Sequence, residues 1–599
     1  MRLVIDFESY YDTEYSLGKM PTHQYIRDPR WKCLGCGLKI DDEPPFYLAG
    51  VGELEYFFGT LNWSLVTAVA HNAQFDGSVL WEHFGKRAPR TWIDTMLLAR
   101  WAISQGHLSP DMTTSLWALA PLVGMQKGDT AAAVAAGGQQ LADYGVDDVI
   151  IEDKLLRMLM GFKPPRDELM YMDQHVRMAT EPVLDIDVPM LEEVAKSDPR
   201  EEAFKKILRK DANFKVLLEK NGIVPEYKTT PTGRTKMALA KTDVFMQSLT
   251  KHPNIKVRRL AEMRLGSASN LVRTRAQRFL NVGAPLPVPL LYYAAGPGRS
   301  GGQDSSNMQN LPRKGPLRHA VKAPEGHKLI VGDSRQVEAR TVGWRAGDKK
   351  LLTAFGTTDP YRTFAGHFMY GKAPEDVTAD ERFMGKAGML GLGFAQSAYG
   401  FQEGIRAKDD KHVPIETCKL GHKAYREGFD QVPKWWKAVF QNAIRDGELT
   451  LPSGRKLIYP DLTSEVKPFT FMDAETDTWV TKDMRQYEYT RPKIFSGRGS
   501  QRKTVNFWKG LATENDTQAT ARDIVFWQLR HCADEGRSTG KWKMVWMTHD
   551  EGVFVAKEGE DTTLCAERLA YWLTQNPSWA HGLPLEGEVK IGQAYGDCK

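Results

Sequence analysis

The sequence predicts an α/β protein built from several domains. At 599 residues the chain is too long for a single hydrophobic core, so two to four domains are expected. Short apolar runs typical of strands occur at Leu3–Ile5, Leu329–Val331 and Lys543–Met547, and long stretches with helical periodicity lie between them. Strands that alternate with helices in this way indicate layered α/β domains.

Composition and charge narrow the class of protein. The chain is 42% hydrophobic and 26% charged, contains no run of about 18 apolar residues, and has an acidic residue inside its first apolar run, so neither a membrane span nor a signal peptide is expected. Residues 1–160 hold 13 Lys and Arg against 20 Asp and Glu, a net charge of −7, so the remainder carries +12 of the total of +5. An acidic head on a basic body suits a metal-binding site beside a polyanion-binding surface.

The cysteines indicate a reducing compartment. Six cysteines in so long a chain argue against a disulfide scaffold and for the cytoplasm. Cys33 and Cys36 form a lone CxxC pair, which is open to zinc or redox use; their apolar neighbours and the lack of a second Cys or His pair nearby favour core packing.

Acidic residues recur at the ends of apolar segments in the first 160 residues. Asp6 and Glu8 lie two apart on a buried strand and therefore share one face, where unpaired acids are costly unless a cation compensates them. Asp76 closes a strand-and-turn segment over 65–75, and Tyr144 and Asp148 lie four apart on a helix over 141–156. Taken singly, each acid is more often a surface or capping residue.

The middle of the chain is basic and helical. Residues 168–287 have a helical pattern rich in Lys and Arg, with a Gly- and Pro-containing basic tip near residues 228–241; a solvated helical linker is the alternative. Residues 294–313 then combine glycines with Arg299, Gln309 and Asn310, which offer a charge and paired amides to a phosphate, sugar or base edge.

Two further strand ends carry carboxylates. The strand at Leu329–Val331 leads to Asp333 and then to a helix, and a predicted hairpin carries His549, Asp550 and Glu551 at its turn. A solvated acidic turn is the alternative for the hairpin alone. If the two strand ends meet, Asp333 and Asp550 can bind two metal ions about 3.5–4 Å apart, the arrangement used for in-line phosphoryl transfer.

Two cations lie four residues apart in the segment 380–400. Arg382 and Lys386 would face the same way on a helix, which is typical either of a salt-bridged surface helix or of a site for a polyphosphate.

These motifs together resemble those of DNA polymerase family A, the DNA polymerase I group. Asp333, Gln336, Glu338 and Arg340 match motif A, the segment with Arg382 and Lys386 matches motif B, and His549–Glu551 matches motif C. The order DxE, NxxFD and YxxxD at Asp6, Asp76 and Asp148 resembles the DEDD 3′–5′ exonucleases in their tyrosine variety. The motifs occur in the same order as in the family, and the resemblance covers nearly the whole chain. The layout resembles most a phage replicative enzyme.

The resemblance implies an RNase H-like exonuclease domain followed by a right-hand polymerase. The exonuclease domain would occupy 1–165, the thumb and the entry to the palm 166–320, and the palm 321–599, with fingers at about 346–450. Primer–template DNA and dNTPs would be the substrates, and phage replication proteins such as a helicase and a single-strand-binding protein would be partners. Only five residues precede Asp6, so no flap nuclease is expected ahead of it.

The resemblance also implies a role for each site residue. Asp333 and Asp550 would bind two Mg²⁺ ions with support from Glu551, and Asp6, Glu8, Asp76 and Asp148 would bind two more near Tyr144, which would orient the attacking water; Mn²⁺ is expected to substitute. The incoming nucleotide would be bound by Arg382, Lys386, Leu390, Phe394, Glu338 and Gln336, and Glu338 would exclude a 2′-hydroxyl. The primer–template DNA would be contacted by Arg299, Gln309, Asn310, Arg455, Gln518 and His549.

Two segments depart from the family pattern. Leu390 stands where an aromatic residue is usual, and Phe394 replaces the Tyr that follows it, so selectivity among sugar analogues is expected to differ. Residues 461–510 match poorly and are interpreted as an insertion or a hairpin. Two alternatives for the whole chain are a repair nuclease whose polymerase half only binds DNA, and a single-subunit RNA polymerase.

Overall fold

The computed structural model describes residues 1–599 except 197–198, 230–234, 241–242, 268–270, 305–306, 313–314, 410, 474–475 and 497–500. The described chain is a mixed α/β structure, as the sequence predicts. Within these residues no helix is both long and apolar enough to cross a bilayer. Residues 230–234 and 241 of the predicted basic tip, and Arg313, lie outside the described residues.

The N-terminal part is built on a five-stranded sheet in the order β3-β2-β1-β4-β5. Its strands are β1 (Arg2–Ser9), β2 (Cys33–Ile40), β3 (Phe46–Leu48), β4 (Thr67–Ala70) and β5 (Thr91–Asp94). Strand β1 runs parallel to β4 and antiparallel to β2, so it occupies the centre of the sheet with apolar neighbours on both sides. Cys33 and Cys36 are free thiols on β2, and Cys36 is buried, as core packing predicts.

Helices cover this sheet. They are α1 (Thr22–Ile26), α2 (Val51–Thr60), α3 (Ala73–His83), α4 (Thr95–Ser104), α5 (Leu116–Leu119), α6 (Thr130–Ala136) and α7 (Gly138–Met160). Helix α7 lies very close to β2, because Gly37 has no side chain: a Cβ there would come within 2.3 Å of the Gly145 carbonyl oxygen. This close approach lets the side chains of α7 reach those of β1.

The predicted helical middle is confirmed as a run of helices. These are α8 (Arg166–Thr180), α9 (Val188–Ala195), α10 (Pro199–Leu208), α11 (Asp211–Glu219), α12 (Val244–Thr250), α13 (Ile255–Ser267) and α14 (Leu271–Val282), with the short strands β6 (Asp185–Ile186), β7 (Tyr227–Thr229) and β8 (Thr235–Met237). Helix α8 is largely buried, and its Asp173 accepts a hydrogen bond of 2.7 Å from the Trp92 amide of β5. It therefore ties this part to the N-terminal sheet.

The C-terminal half contains a four-stranded antiparallel sheet. Short strands β9 (Leu290–Leu291), β10 (Gly301–Gly302) and β11 (Val321–Lys322) precede it, and β12 (His327–Ser334) lies inside it. Helices α15 (Val337–Ala346), α16 (Lys349–Phe355), α17 (Pro360–Phe364), α18 (Ala379–Gly391), α19 (Ala398–Asp409), α20 (Ile415–Gly428) and α21 (Gln431–Asp446) follow. They pack around their own apolar cluster, which includes Phe364, Met389, Tyr425 and Trp436.

The chain then returns to the sheet through two hairpins and a long helix. The hairpin strands are β13 (Glu448–Thr450), β14 (Lys456–Ile458), β15 (Thr463–Met472), β16 (Trp479–Thr490) and β17 (Thr504–Phe507). They lead to α22 (Lys509–Thr539), β18 (Trp542–Met547), β19 (Glu551–Lys557), α23 (Glu560–Trp572) and β20 (Gly587–Gly592), and the sheet order is β18-β19-β12-β20. The predicted hairpin at Lys543–Ala556 is confirmed. The described part of residues 461–510 contains the hairpin β15–β16, which is one of the two interpretations of this segment, with β17 beside it.

Candidate active sites

The first site is a carboxylate cluster on the N-terminal sheet. Strand β1 presents Asp6 and Glu8, helix α7 presents Asp148, and one oxygen from each lies within 4.8 Å of the others. Asp76 lies close by in the first turn of α3, rather than in a turn before it, and accepts a hydrogen bond of 2.9 Å from the Phe7 amide. The structure thus brings together acids separated by more than 140 residues.

Burial makes this cluster electrostatically unstable by itself. Desolvation, reinforced by the neighbouring carboxylates, raises the pKa of Asp6 well above its usual range, that of Glu8 to about 7 and that of Asp148. Burial likewise raises the pKa of Asp76 to about 8. One oxygen of Asp148, Oδ1, is buried without a hydrogen-bond partner. Oxygen-rich, unsatisfied carboxylates of this kind are the donor set that a hard divalent cation prefers.

Lys127 enters this cluster from the loop before α6, which sequence reasoning missed. Its ammonium group donates hydrogen bonds to the Asp148 carboxylate and to the Tyr144 hydroxyl, and Thr130 Oγ1 lies 2.6 Å from that same hydroxyl. A resident cation therefore offsets part of the negative charge and holds the tyrosine. Nothing in the spacing of Lys127 indicates this contact, because the loop reaches the site only through folding.

Glu152 is a second group that the sequence analysis left out. It follows Tyr144 and Asp148 by one further helical turn on α7, is almost fully buried, and accepts a hydrogen bond of 3.2 Å from the His71 amide. Burial and the charges of the neighbouring acids raise its pKa well above the usual range. The four-residue spacing from Asp148 was the signal that could have found it.

The second site lies where β12 meets the β18–β19 hairpin. Asp333 is opposite Glu551 in the antiparallel register, and the Ser334 amide donates a hydrogen bond of 2.8 Å to the Asp550 carbonyl. Asp333 and Asp550 therefore lie at the same end of the sheet, where β12 ends and β19 begins, which is the meeting of strand ends that the sequence analysis considered.

The two carboxylates lack partners of their own. Across the described residues, neither side chain accepts a hydrogen bond or forms an ion pair, and burial together with the charge of Asp550 raises the pKa of Asp333 to about 6. Asp550 is exposed to solvent. The donor set again fits a divalent cation, and it is open on one side to a ligand.

Glu551 occupies a different environment from its neighbour. Its side chain is 1% exposed, accepts a hydrogen bond of 2.8 Å from the Tyr595 hydroxyl, and pairs with Lys599. Its carboxylate is therefore engaged inside the protein, and its predicted support of Asp333 and Asp550 stays a prediction. It holds the start of β19, and hence the turn that carries Asp550.

Helix α18 presents its two cations to Tyr361 of α17. The guanidinium carbon of Arg382 lies 5.4 Å, and the ammonium of Lys386 6.0 Å, from the ring centre of Tyr361. The Tyr361 hydroxyl in turn accepts a hydrogen bond of 3.2 Å from Gln336. Tyr361 is thus a linking residue that sequence reasoning missed. Arg382 also pairs with Asp359 at 2.6 Å, while Lys386 is exposed.

The end of α18 carries the two departures from the family pattern. The helix ends at Gly391 and a 3₁₀ turn covers Leu392–Phe394. Leu390 and Phe394 are both half-buried against the apolar cluster of α15–α21. Their role toward a nucleotide stays a prediction.

Arg299 and Glu338 form an ion pair that the sequence did not indicate. Glu514 of α22 lies close to this ion pair: burial, followed by the negative charge of Glu338, raises the pKa of Glu514. Gln309 and His549 line one small cavity with Arg299. Burial, followed by the Arg299 charge, lowers the pKa of His549. Residues predicted to meet DNA and sugar thus lie beside one another.

Arg455 is the clearest correction among the predicted DNA contacts. It is 3% exposed, and its guanidinium donates to the Asp523 carboxylate, the Tyr293 hydroxyl and the Pro297 and Ala519 carbonyls. With its donors engaged inside the protein, it fixes the loop that carries Arg299 instead of meeting DNA directly.

The other two predicted DNA contacts are more accessible. Asn310 is exposed, and its carbonyl accepts a hydrogen bond of 2.5 Å from Arg275. Gln518, half-buried on α22, donates a hydrogen bond of 2.9 Å to Glu514.

Comparison with known proteins agrees with this geometry. The family model described as DNA polymerase family A matches residues 298–597, half of the chain. DNA polymerase I of Thermus thermophilus is 24% identical over 299 residues, which are 49% of this chain and 30% of that protein. The DNA polymerase of Bacillus phage SP02 is 27% identical over 302 residues, 47% of this chain and 43% of its own. The chain therefore spans less than half the length of these relatives.

A solved structure extends the likeness to the whole fold. The polymerase domain of Pol1 from M. smegmatis, in complex with a DNA primer–template and dNTP, superposes with a TM-score of 0.66 at 18% identity, and the match covers 100% of this chain and 96% of that one.

Proposed function

This chain belongs to DNA polymerase family A, and from that premise we propose that it is a template-directed DNA polymerase with 3′–5′ proofreading. The observation that carries the synthetic activity is the meeting of Asp333 and Asp550, whose side chains have no partner among the described residues. Tyr361, which contacts Gln336, links this end of the sheet to the cations of α18. A structurally similar protein was captured with primer–template DNA and dNTP, which supports the same substrates here.

Members of this family use divalent metal ions, and both carboxylate sites fit such ions. Asp333 and Asp550 would hold them in the synthetic site, and Asp6, Glu8 and Asp148, with Asp76 nearby, in the nuclease site. When bound, such ions, which we propose to be two Mg²⁺ at each site, lower the pKa of a coordinated hydroxyl or water and stabilise charge on the phosphate.

The side chains around the synthetic site have separable tasks in this proposal. Arg382 and Lys386 bind the triphosphate, since both are cations on one helix face. Gln336 donates a hydrogen bond to the Tyr361 hydroxyl and so positions Tyr361, and with it the cationic face of α18, relative to α15. Glu338, held by Arg299, fills the space beside the sugar.

The proofreading half of the proposal rests on the buried cluster at β1 and α7. In it, Tyr144, held by Lys127 and Thr130, orients a water molecule toward the terminal phosphodiester. We assign residues 1–165 to this exonuclease, 166–320 to the thumb and palm entry, and 321–599 to the palm, with fingers at about 346–450. A phage origin, replication-protein partners and action in the cytoplasm complete the proposal; the likeness to a phage polymerase supports the first.

One experiment tests the proposed activity. A radiolabelled primer annealed to a longer template is incubated with the protein and Mg²⁺, first with dNTPs, then with rNTPs, then with neither. Extension with dNTPs alone, and shortening of the primer without nucleotides, are expected. Extension chiefly with rNTPs would indicate an RNA polymerase, and shortening without any extension would indicate a nuclease.

Replacing Glu338 with alanine should relax sugar discrimination. Removing the side chain beside the sugar opens space for a 2′-hydroxyl, and pocket contacts of this size are worth roughly ten- to a hundredfold. We expect the ratio of rNTP to dNTP incorporation, measured for single nucleotides, to rise by about that factor. Glu338→Gln is the matched control: it keeps the bulk, so it should keep most of the discrimination. Equal ratios for the native protein and Glu338→Ala would refute this placement of Glu338.

Replacing Lys127 with methionine should slow the nuclease and tighten its metal binding. The Tyr144 hydroxyl loses a donor, and a misplaced catalytic group costs roughly ten- to a hundredfold in rate. The carboxylates meanwhile lose a competing positive charge, so Mn²⁺ should bind more tightly in calorimetric titration. Lys127→Arg, which keeps the charge, should bind Mn²⁺ as the native protein does. Weaker binding by Lys127→Met would contradict the role of Lys127 as a resident cation.

A further inference from the structure

The hairpin formed by β15 and β16 is the largest feature that the proposed function leaves unexplained. Its strands pair from Thr463 with Glu488 to Met472 with Trp479, far beyond the point where β17 stops supporting β16 at Tyr487. A two-stranded ribbon alone is marginally stable in water. Yet this one exposes large apolar side chains on both faces: Phe469 is 44% exposed on one face, and Trp479 is 71% and Val466 56% exposed on the other. Such exposure is typical of a binding surface.

Both ends of the hairpin are anchored to other parts of the molecule. At its tip, the Asp477 carboxylate accepts a hydrogen bond from the Tyr399 hydroxyl and pairs with Lys419 at 2.6 Å, which joins it to α19 and α20. At its base, Arg502 pairs with Asp111 of the N-terminal part at 3.0 Å. The hairpin is therefore held in a defined position, and its central residues face solvent.

One face of the hairpin has the composition of a nucleic-acid platform. Cross-strand partners and alternate residues share a face, which puts Phe469, Phe471, Lys482 and Met484 together. The rings of Phe469 and Phe471 lie 6.2 Å apart at 23°, and the Lys482 ammonium lies 6.0 Å from the Phe471 ring centre. Aromatic rings interleaved with cations on an antiparallel sheet are how proteins stack unpaired bases and hold their phosphates.

The charge and the position of the hairpin also favour binding of a single nucleic-acid strand. Residues 491–503, next to the base of the hairpin, contain five Lys and Arg and no Asp or Glu. The tip reaches Tyr399, five residues beyond Phe394 at the end of the turn that follows α18. A single strand bound along the hairpin would thus run toward the helix that carries Arg382 and Lys386.

We propose that the paired strands β15 and β16 bind single-stranded DNA, through base stacking on Phe469 and Phe471, and so guide the uncopied template to the synthetic site. The inference rests on the proposed polymerase function for the identity of that strand. It adds a binding surface outside the region that holds the carboxylates.

The test compares two primer–templates that differ only in the unpaired template overhang, of two or twelve nucleotides. Phe469→Thr with Phe471→Thr removes the rings but keeps residues that favour strands. This double variant should bind the twelve-nucleotide substrate about five- to tenfold more weakly in fluorescence anisotropy, and the two-nucleotide substrate equally well. Thr470→Val with Thr481→Val changes the opposite face and is the control; it should bind both substrates as the native protein does.

Single-nucleotide incorporation on the short overhang separates this proposal from the polymerase proposal. All variants should incorporate there at the native rate, which also shows that they are folded. Failure of every protein, the native one included, would refute the polymerase function and not the hairpin. Unchanged affinity of the ring variant for the long overhang, or an equal loss in the control, would overturn the hairpin proposal. A variant with residues 465–486 replaced by Asn-Gly should reproduce the ring variant.

Discussion

Replacing Asp550 with alanine is expected to abolish DNA synthesis while leaving nuclease activity intact. Asp550 and Asp333 supply the carboxylates of the synthetic site, and loss of a metal ligand removes several kcal/mol of charge stabilisation, which corresponds to at least about a thousandfold in rate. Because the Asp550 side chain is exposed, and it is the backbone carbonyl of Asp550 that accepts the hydrogen bond from the Ser334 amide, the substitution should leave the fold unchanged. Primer extension and primer digestion, followed on the same labelled substrate, measure both activities.

Digestion of the primer is the internal control for Asp550→Ala, because the proposed nuclease site lies on the N-terminal sheet and Asp550 lies at the C-terminal one. An equal melting temperature in thermal unfolding would show that the variant is folded. Glu551→Gln is a useful comparison: it weakens the contacts to Tyr595 and Lys599 but leaves Asp550 in place, so synthesis should fall less. Extension by Asp550→Ala at close to the native rate would mean that the synthetic site lies elsewhere.

Replacing Asp6 with alanine should give the opposite result, with digestion lost and synthesis kept. Asp6 is one of the three mutually close carboxylates of the cluster, and its loss leaves Glu8 and Asp148, with Asp76 nearby, too few to hold the ions that the nuclease needs. We expect degradation of a mismatched primer terminus in Mg²⁺ to fall by at least about a thousandfold. Extension of a correctly paired primer should continue at the native rate.

The same substitution should stabilise the protein in the absence of metal. Burial and like charges raise the pKa of Asp6 in the folded state, so at neutral pH its ionised form favours unfolding. Without Asp6 that penalty disappears, and the melting temperature in EDTA should be equal to or above that of the native protein. A lower melting temperature would show that Asp6 contributes to the fold, and continued digestion by the variant would show that the cluster is not the nuclease.

Local pattern was enough to predict the acids and the elements that carry them. Asp6 with Glu8, Tyr144 with Asp148, and Arg382 with Lys386 are spaced by the periods of a strand or a helix, and the structure has them on β1, α7 and α18. Glu152 followed the same rule and was overlooked. These assignments need only neighbours within one turn or one strand, so they are readable from residue order.

The partners of those residues depended on packing between distant segments. Lys127 enters the nuclease cluster from a loop, Tyr361 joins Gln336 to α18, and Arg299 pairs with Glu338. No local spacing indicates such contacts, because they form only when separate elements meet. For the same reason the burial of Arg455 was not foreseen: an arginine after a turn appears the same in sequence whether it faces DNA or an interior carboxylate.

Residue order therefore established the α/β class, the family and the carboxylates, because each of these is encoded in short motifs and in the periodicity of single elements. The charge balance of both sites, the engaged state of Glu551 and Arg455, and the anchoring of the hairpin tip at Tyr399 and Lys419 were decided by tertiary structure. Desolvation and long-range ion pairing act between groups that only folding brings within a few ångströms, and both depend on the solvent that folding removes.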